Sequence, residues 1–225
     1  SQPDNQAMAK WYQRFEFKRW LKEVSEEGGS DVPVKQKSYS IISDDNTWQD
    51  WCERIDKSAF FALDTETSSL DAPNAQLLGI SVALLPHEAA YIPLVHQDLG
   101  DIQPLAQGLV LAALRRWLLD PSKLIIGQNL KYDLTVLQQL GLEVNCQCFD
   151  TMLASYVINS TGQHNLDTLA MSYLGVSTTS FTDIAGKGAK QLTFDQVPLA
   201  QAAEYAAEDA DITLQLYHVL AEQLK

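Results

Sequence analysis

Apolar and polar positions change rhythm several times along this chain. Residues 39–43 alternate as a short strand would. Asp44 and Asp45 then stand where a helix cap belongs, and Trp48, Trp51 and Cys52 recur at helical spacing up to residue 55. Strands are expected over 59–65, 77–85 and 89–94. The middle one is mostly apolar (Leu77, Leu78, Ile80, Val82, Leu84), which predicts a central strand covered on both faces. Residues 104–119 predict a helix with a basic end at Arg115 and Arg116, stopped by Asp120-Pro121. A further buried strand is expected over 123–127, and helices over 130–140, 150–159, 165–174 and 198–223. Three strands, a helix, a strand and then several helices describe an α/β fold, a mixed β-sheet flanked by helices.

Residues 1–37 have a different character. Residues 7–24 can form a helix with Trp11, Phe15 and Trp20 among its apolar positions. Ser25-Glu26-Glu27-Gly28-Gly29-Ser30 then ends it in a polar, glycine-rich stretch. This segment reads as a linker or the tail of a preceding module, ahead of a main domain over 38–225, although a helix docked on that domain fits the pattern as well.

Two carboxylates sit at the end of an apolar run, in Phe60-Phe61-Ala62-Leu63-Asp64-Thr65-Glu66-Thr67. Residues i and i+2 of a strand face the same side, so Asp64 and Glu66 are expected next to each other. Carboxylates that close repel unless a cation lies between them. The same motif also reads as an ordinary polar strand end.

Two later segments change the balance. Gly127-Gln128-Asn129-Leu130-Lys131-Tyr132-Asp133 leaves a strand and opens a helix, with Asn129 at the N-cap position and Asp133 in the first turn. On the last helix Tyr205 and Asp209 are four residues apart and share a face. Ala202, Ala203, Ala206, Ala207 and Ala210 let that helix pack closely, while Glu204, Glu208 and Asp211 read as a solvated acidic face. Asp64, Glu66, Asp133 and Asp209 would suit a pair of magnesium ions serving phosphoryl chemistry, if the fold brings them together.

Composition narrows the partners. The net charge of −13 argues against holding nucleic acid mainly through a basic face, but suits a site that gathers carboxylates around metal. No apolar run is long enough to span a membrane. The three cysteines do not form a disulfide framework, and Cys146-Gln147-Cys148 has no matching pair for zinc, so a reducing cytoplasmic setting fits. A nucleotide-binding Rossmann reading fails for want of a G-x-G-x-x-G after a strand.

At these residues the chain resembles the proofreading 3′→5′ exonuclease domain of the bacterial DNA polymerase I family (family A). Such domains are DEDD exonucleases of the tyrosine subclass with a ribonuclease H-like fold. The first motif is Asp64-Thr65-Glu66-Thr67 with Ser68-Ser69-Leu70-Asp71, the second Gly127 to Asp133, and the third Tyr205-Ala206-Ala207-Glu208-Asp209-Ala210-Asp211. Phe149-Asp150-Thr151-Met152-Leu153 and the run from Phe181 to Gly188 add to the likeness, which extends from residue 38 to the end.

The resemblance implies that Asp64, Glu66 and Asp209 hold one divalent ion, and that Asp64 with Asp133 serves a second. Mg2+ is the implied metal, with Mn2+ or Zn2+ as alternatives. Tyr205 and Glu66 would orient the attacking water. Leu70 and Phe181 would pack on the terminal bases, and Asn129 would contact the nucleotide. Thr67, Gln128 and Tyr132 would complete the substrate side. Lys187, between Gly186 and Gly188, is either a phosphate contact from a loop or an ordinary surface lysine. The family has an arginine where Gln163 precedes His164-Asn165, so a cation is missing here.

The implied substrate is a frayed single-stranded 3′ end of DNA, and the implied context a polymerase domain on the same polypeptide in a bacterial, nucleoid-associated, cytoplasmic protein. The chain then reads as an excised, monomeric fragment. The rival readings are an RNA 3′→5′ exonuclease and a non-catalytic structural module of the polymerase.

Overall fold

A computed structural model describes residues 37–100 and 102–225. The helix expected over 7–24 lies outside the described residues. The six strands are β1 (Ser38–Ile41), β2 (Phe60–Thr67), β3 (Leu77–Leu85), β4 (Glu88–Pro93), β5 (Leu124–Gly127) and β6 (Gln147–Asp150). They lie in the order β1-β4-β3-β2-β5-β6. The β2–β3 and β3–β4 pairs are antiparallel, and the β1–β4, β2–β5 and β5–β6 pairs are parallel, so the sheet is mixed as expected.

The longer helices are α1 (Asp45–Lys57), α2 (Gln107–Leu119), α3 (Leu130–Gln139), α4 (Thr151–Ile158) and α7 (Leu199–Gln223). Two short ones, α5 (Leu166–Leu169) and α6 (Phe181–Ala185), lie between α4 and α7. Among the described residues no helix is long and apolar enough to cross a membrane.

The strands sort their side chains by parity. Phe61 and Leu63 of β2, Ile80 and Val82 of β3, and Ile92 of β4 face a core closed by Trp48 and Ile55 of α1, Val110 and Trp117 of α2, and Leu137 of α3. Trp117 packs edge-on against Phe61 at 5.6 Å between ring centroids. The other face is lined by small residues, Ala62, Ala83 and Ala89, which meet Ala207, Ala210 and Leu214 of α7. Alanine against alanine lets α7 lie close on the sheet. Asp64 and Glu66 have the parity of Ala62, so they emerge on the α7 side.

Several local expectations change. β2 runs two residues past 65 and carries Glu66 inside the strand. Strand β6 was not foreseen: it is four residues long, exposed at its start, and pairs only with β5. The helix expected over 104–119 starts at Gln107, and that over 165–174 divides into α5 and a π-helical turn over Ala170–Leu174. Asn129 does not cap α3 with its side chain. It adopts φ 58°, and Asp150 instead accepts from the N–H groups of Asn129 (3.1 Å) and Leu130 (2.9 Å). Asp150 also caps α4 through Met152 N–H at 2.9 Å. One carboxylate thus satisfies the open ends of two helices.

The largest departure is on α7. Glu204 is exposed as expected, but Glu208 and Asp211 are buried. Glu208 pairs with Lys37 and accepts from Thr179 N–H at 2.7 Å. Asp211 accepts from the Tyr39 hydroxyl at 2.7 Å and from His87 N–H at 2.7 Å, tying β1 and the β3–β4 turn to α7. Both carry structural hydrogen bonds rather than solvent.

Candidate active site

β2 pairs with β5 only over Phe60–Ala62, whereas it stays paired with β3 to Thr67. Beyond Ala62, one side of β2 is therefore open, and the start of α3 fills the gap. Asp133 reaches across: its Oδ1 accepts from the Thr65 N–H at 3.0 Å and the Thr65 hydroxyl at 2.6 Å. Asp133 is only 2% exposed, so this first-turn carboxylate is bound into the site and is more than a dipole partner. A register shift follows Glu66, of the bulge type that re-aims side chains at strand ends.

From the other side α7 brings Tyr205 and Asp209. Carboxylate oxygens of Asp64, Glu66 and Asp209 lie within 4.8 Å of one another. The Tyr205 phenol stands beside the Asp209 carboxylate and favours its charged form. Among the described residues no Lys or Arg is ion-paired with any of these carboxylates.

Uncompensated charge of this density shifts every group in the cluster. Burial, then the Asp209 charge, pushes the Asp64 carboxyl well up from its ordinary value. Burial and then Asp64, Asp209 and Asp133 do the same to Glu66. Asp133 is raised by burial and by Asp64, against the pull of its Thr65 hydrogen bonds. Asp209 is pushed up to about 8, chiefly by burial and against the lowering influence of Tyr205. Burial first and the neighbouring carboxylates next hold the Tyr205 phenol far above its usual range, so it keeps its proton. A cation among these oxygens would reverse the balance.

An aromatic wall borders the acids. Tyr205 packs on Phe181 at 6.1 Å and Phe194 at 6.3 Å, and Phe181 stacks on Phe194 at 6.3 Å with planes 20° apart. Ser180 and Asp183 form a capping box that fixes the helix bearing Phe181. Across the site, the Tyr132 hydroxyl bonds Thr67 Oγ1 and the Ser69 carbonyl, which ties the loop after β2 to α3. That loop carries Leu70, 96% exposed.

The remaining expected substrate residues differ in their freedom. Gln128 is engaged at both ends of its amide, accepting from Thr151 Oγ1 at 2.5 Å and donating to the His164 carbonyl at 2.7 Å. Asn129 is exposed beside it. Lys187 is exposed between Gly186 and Gly188, both with positive φ, and makes no ion pair with the cluster.

Sequence reasoning passed over Thr65. Its position between Asp64 and Glu66 was the available signal, because a strand turns the intervening residue to the opposite side. Thr65→Val, which removes one of two donors to Asp133, is expected to lower turnover 10- to 100-fold if Asp133 serves a metal, roughly the cost of losing a hydrogen bond that supports a ligand. Cleavage rates with an unchanged circular-dichroism spectrum check this. Wild-type rates would show that the backbone N–H of Thr65 suffices.

Known proteins share sequence and fold with this chain. A family model described as 3′–5′ exonuclease matches residues 39–225. DNA polymerase I of Pseudomonas aeruginosa is 43% identical over all of this chain and 26% of its own length. DNA polymerase I of Rhizobium leguminosarum is 38% identical over 91% of this chain and 22% of its own length. The chain thus spans about a quarter of the curated relatives it matches. Brucella melitensis NrnC with bound Mg2+ superposes with a TM-score of 0.58 at 22% identity, covering 84% of this chain and 82% of that one. The POL domain of Pol1 from M. smegmatis in complex with DNA primer-template and dNTP gives 0.60 at 19% identity, over 82% of this chain and 27% of that one. These two likenesses carry the fold, a ribonuclease H-like sheet. With a family model covering residues 39–225 and carboxylates from three separate segments drawn together on that sheet, the chain belongs to the 3′–5′ exonuclease family.

Proposed function

We propose that this domain removes nucleoside 5′-monophosphates from the frayed 3′ end of DNA, as the proofreading part of a bacterial DNA polymerase I in replication and repair. The observation that carries the reading is the meeting of Asp64, Glu66 and Asp209 within 4.8 Å, next to Asp133 and an aromatic wall. Family membership and the polymerase relatives support it.

The residues fit divalent metal. The donors are all carboxylate oxygens, and Glu66 Oε1 is buried without a hydrogen-bond partner. Hard oxygen donors suit Mg2+, with Mn2+ or Zn2+ as alternatives. Asp64, Glu66 and Asp209 would hold one ion, and Asp64 with Asp133 a second. When bound, such ions lower the pKa of a water and stabilise charge on the phosphate and the departing oxygen.

The protein's own groups do the rest. The protonated Tyr205 hydroxyl and the free Glu66 Oε1 offer a donor and an acceptor to orient the attacking water. Attack at phosphorus breaks the bond to the 3′ oxygen and leaves a 5′-monophosphate. Leu70 and Phe181 would pack on the last bases, with Thr67, Tyr132 and Asn129 beside the sugar and phosphate, and Lys187 as a loop contact. Gln128 acts through the loop it holds. Apolar packing on bases requires them unpaired, so a mispaired end, which frays more readily, is preferred. In this reading residues 1–37 join a preceding 5′ nuclease part, a polymerase domain follows, and the protein works as a monomer at the nucleoid in the cytoplasm.

The test is a 5′-labelled primer–template in Mg2+, with matched and mismatched 3′ ends, an EDTA control and an RNA primer in parallel. Stepwise shortening from the 3′ end, faster when mismatched and abolished by EDTA, is expected. Equal or faster cleavage of RNA would move the substrate. No shortening in Mg2+ or Mn2+ would leave a structural module.

A further inference from the structure

Phe181 reaches the site on a segment that cannot place itself. Residues 175–180 are in neither helix nor strand, and α6, which follows, is only five residues long. A helix that short makes too few hydrogen bonds to persist alone, and the N–H groups ahead of it have no ladder to join. The far end of α6 is held by packing: Ala185 and Ile184 belong to the apolar cluster of Phe194 and Val197.

The near end is held by carboxylates, one for each of three successive residues. Thr178 Oγ1 donates to Asp167 of α5 at 2.7 Å, Thr179 N–H to Glu208 of α7 at 2.7 Å, and Ser180 to Asp183 in the capping box. Asp167 and Asp183 are exposed, so water can take over either bond at small cost. Glu208 is 5% exposed, and its bond to Thr179 has no such substitute.

Glu208 is next to Asp209 in sequence but lies on the flank of α7 that it shares with Asp211, three residues on. That flank meets the start of β1. Lys37 pairs with Glu208 Oε1 and lies over the Tyr39 ring at 5.4 Å, while the Tyr39 hydroxyl donates to Asp211. Each Glu208 oxygen thus has its own partner, Lys37 on Oε1 and the Thr179 N–H on Oε2. Burying a carboxylate costs free energy that an apolar residue of similar size would not, so packing alone does not call for Glu at this position. What an apolar residue cannot do is hold the Thr179 N–H.

We propose that Glu208 is a positioning residue for the substrate: by gripping Thr179 it fixes Phe181 against the helix that carries Tyr205 and Asp209, and so keeps the wall for the last base in register with the carboxylates. The proposal rests on the reading of Phe181 as a base-packing residue. One helix then sets both parts of the site, the acids through Asp209 and the wall through Glu208. The gripped N–H is two residues from Phe181, whose ring packs on Tyr205 and Phe194. Without the grip the ring keeps its apolar neighbours, but the backbone that aims it is free to shift.

The experiment is steady-state cleavage of a 5′-labelled single-stranded DNA oligomer in Mg2+ by the whole chain, for wild type, Glu208→Ala, Glu208→Gln and Phe181→Ala. Mn2+ calorimetry and melts in EDTA are run on the same samples. Glu208→Ala is expected to raise KM about 10-fold, the order of a weakened base–aromatic contact, with kcat within about 2-fold and Mn2+ binding unchanged. Glu208→Gln keeps an oxygen for the Thr179 N–H and should restore most of the KM. A wild-type KM in Glu208→Ala, whatever its melt, overturns the proposal alone if Phe181→Ala still raises KM. A Glu208→Gln no better than Glu208→Ala also overturns it, as does a fall in kcat and Mn2+ affinity in place of the rise in KM, which would place the effect of Glu208 on Asp209. A wild-type KM in Phe181→Ala overturns the base-packing reading beneath it. Should Glu208→Ala fail to fold, Glu208→Leu fills the buried volume without an acceptor and carries the same comparison, with the same outcomes.

Discussion

Asp64→Asn is expected to lower cleavage by at least about a thousand-fold and, in the same sample without metal, to raise the melting temperature at pH 8. The activity loss should exceed the 10- to 100-fold cost of an outer contact, because Asp64 interacts with each of the other three carboxylates: it raises both Glu66 and Asp133 and is itself raised by Asp209. The stability gain follows from the same facts. An amide of equal shape removes one charge from a cluster that no Lys or Arg compensates among the described residues, and leaves its neighbours freer to ionise. Rates on a mismatched primer and melts in EDTA give the two signs. Lower activity with a lower melting temperature would mean that Asp64 is needed for folding, and unchanged activity would remove it from the metal site.

That opposition of function and stability was partly legible in the sequence. Period-two spacing put Asp64 and Glu66 on one face, and helical spacing put Tyr205 beside Asp209; both arrangements are local and depend only on backbone geometry. The sheet itself was legible because its strands are apolar where they are covered on both sides. Strand β6 was not, since its four residues pair on one edge and bury little. Convergence was not legible either, because the contact that brings Asp133 to Thr65 spans 68 residues. Glu208 and Asp211 failed for the same reason. Flanked by alanines on a helix they look solvated, and only the fold reveals partners 171 and 172 residues away, Lys37 and Tyr39. Thr65 and Asp150 were within reach, being a hydroxyl between two candidate ligands and an Asp-Thr-Met-Leu helix start, but their bonds run to other elements.

The metal-free domain should lose stability as pH rises from about 5 to 8.5, and Mg2+ or Mn2+ should restore it most strongly at the upper end. The unfolded carboxylates titrate near 4, whereas in the folded state Asp209 titrates near 8 and Asp64, Glu66 and Asp133 are all raised. Between those limits the folded state binds more protons than the unfolded one, so stability falls with increasing pH across that window. This is the reverse of the usual effect of paired carboxylates, whose depressed values make acid the destabilising direction. A divalent ion held as proposed would bind the ionised set in the folded state alone. At a hundred times its dissociation constant it adds about 2.7 kcal/mol, worth about 5–10 °C for a domain of this size. At pH 5 protons compete for the same oxygens and the shift should shrink. The net charge of −13 also produces self-repulsion that grows with pH, but salt screens that surface term far more than a buried cluster. Melts in EDTA, in Mg2+ and in Mn2+, at pH 5 and 8.5 with high NaCl throughout, separate the two. A pH-independent melt in EDTA, or a metal-induced shift equal at both pH values, would show that the four carboxylates are not a shared cation site.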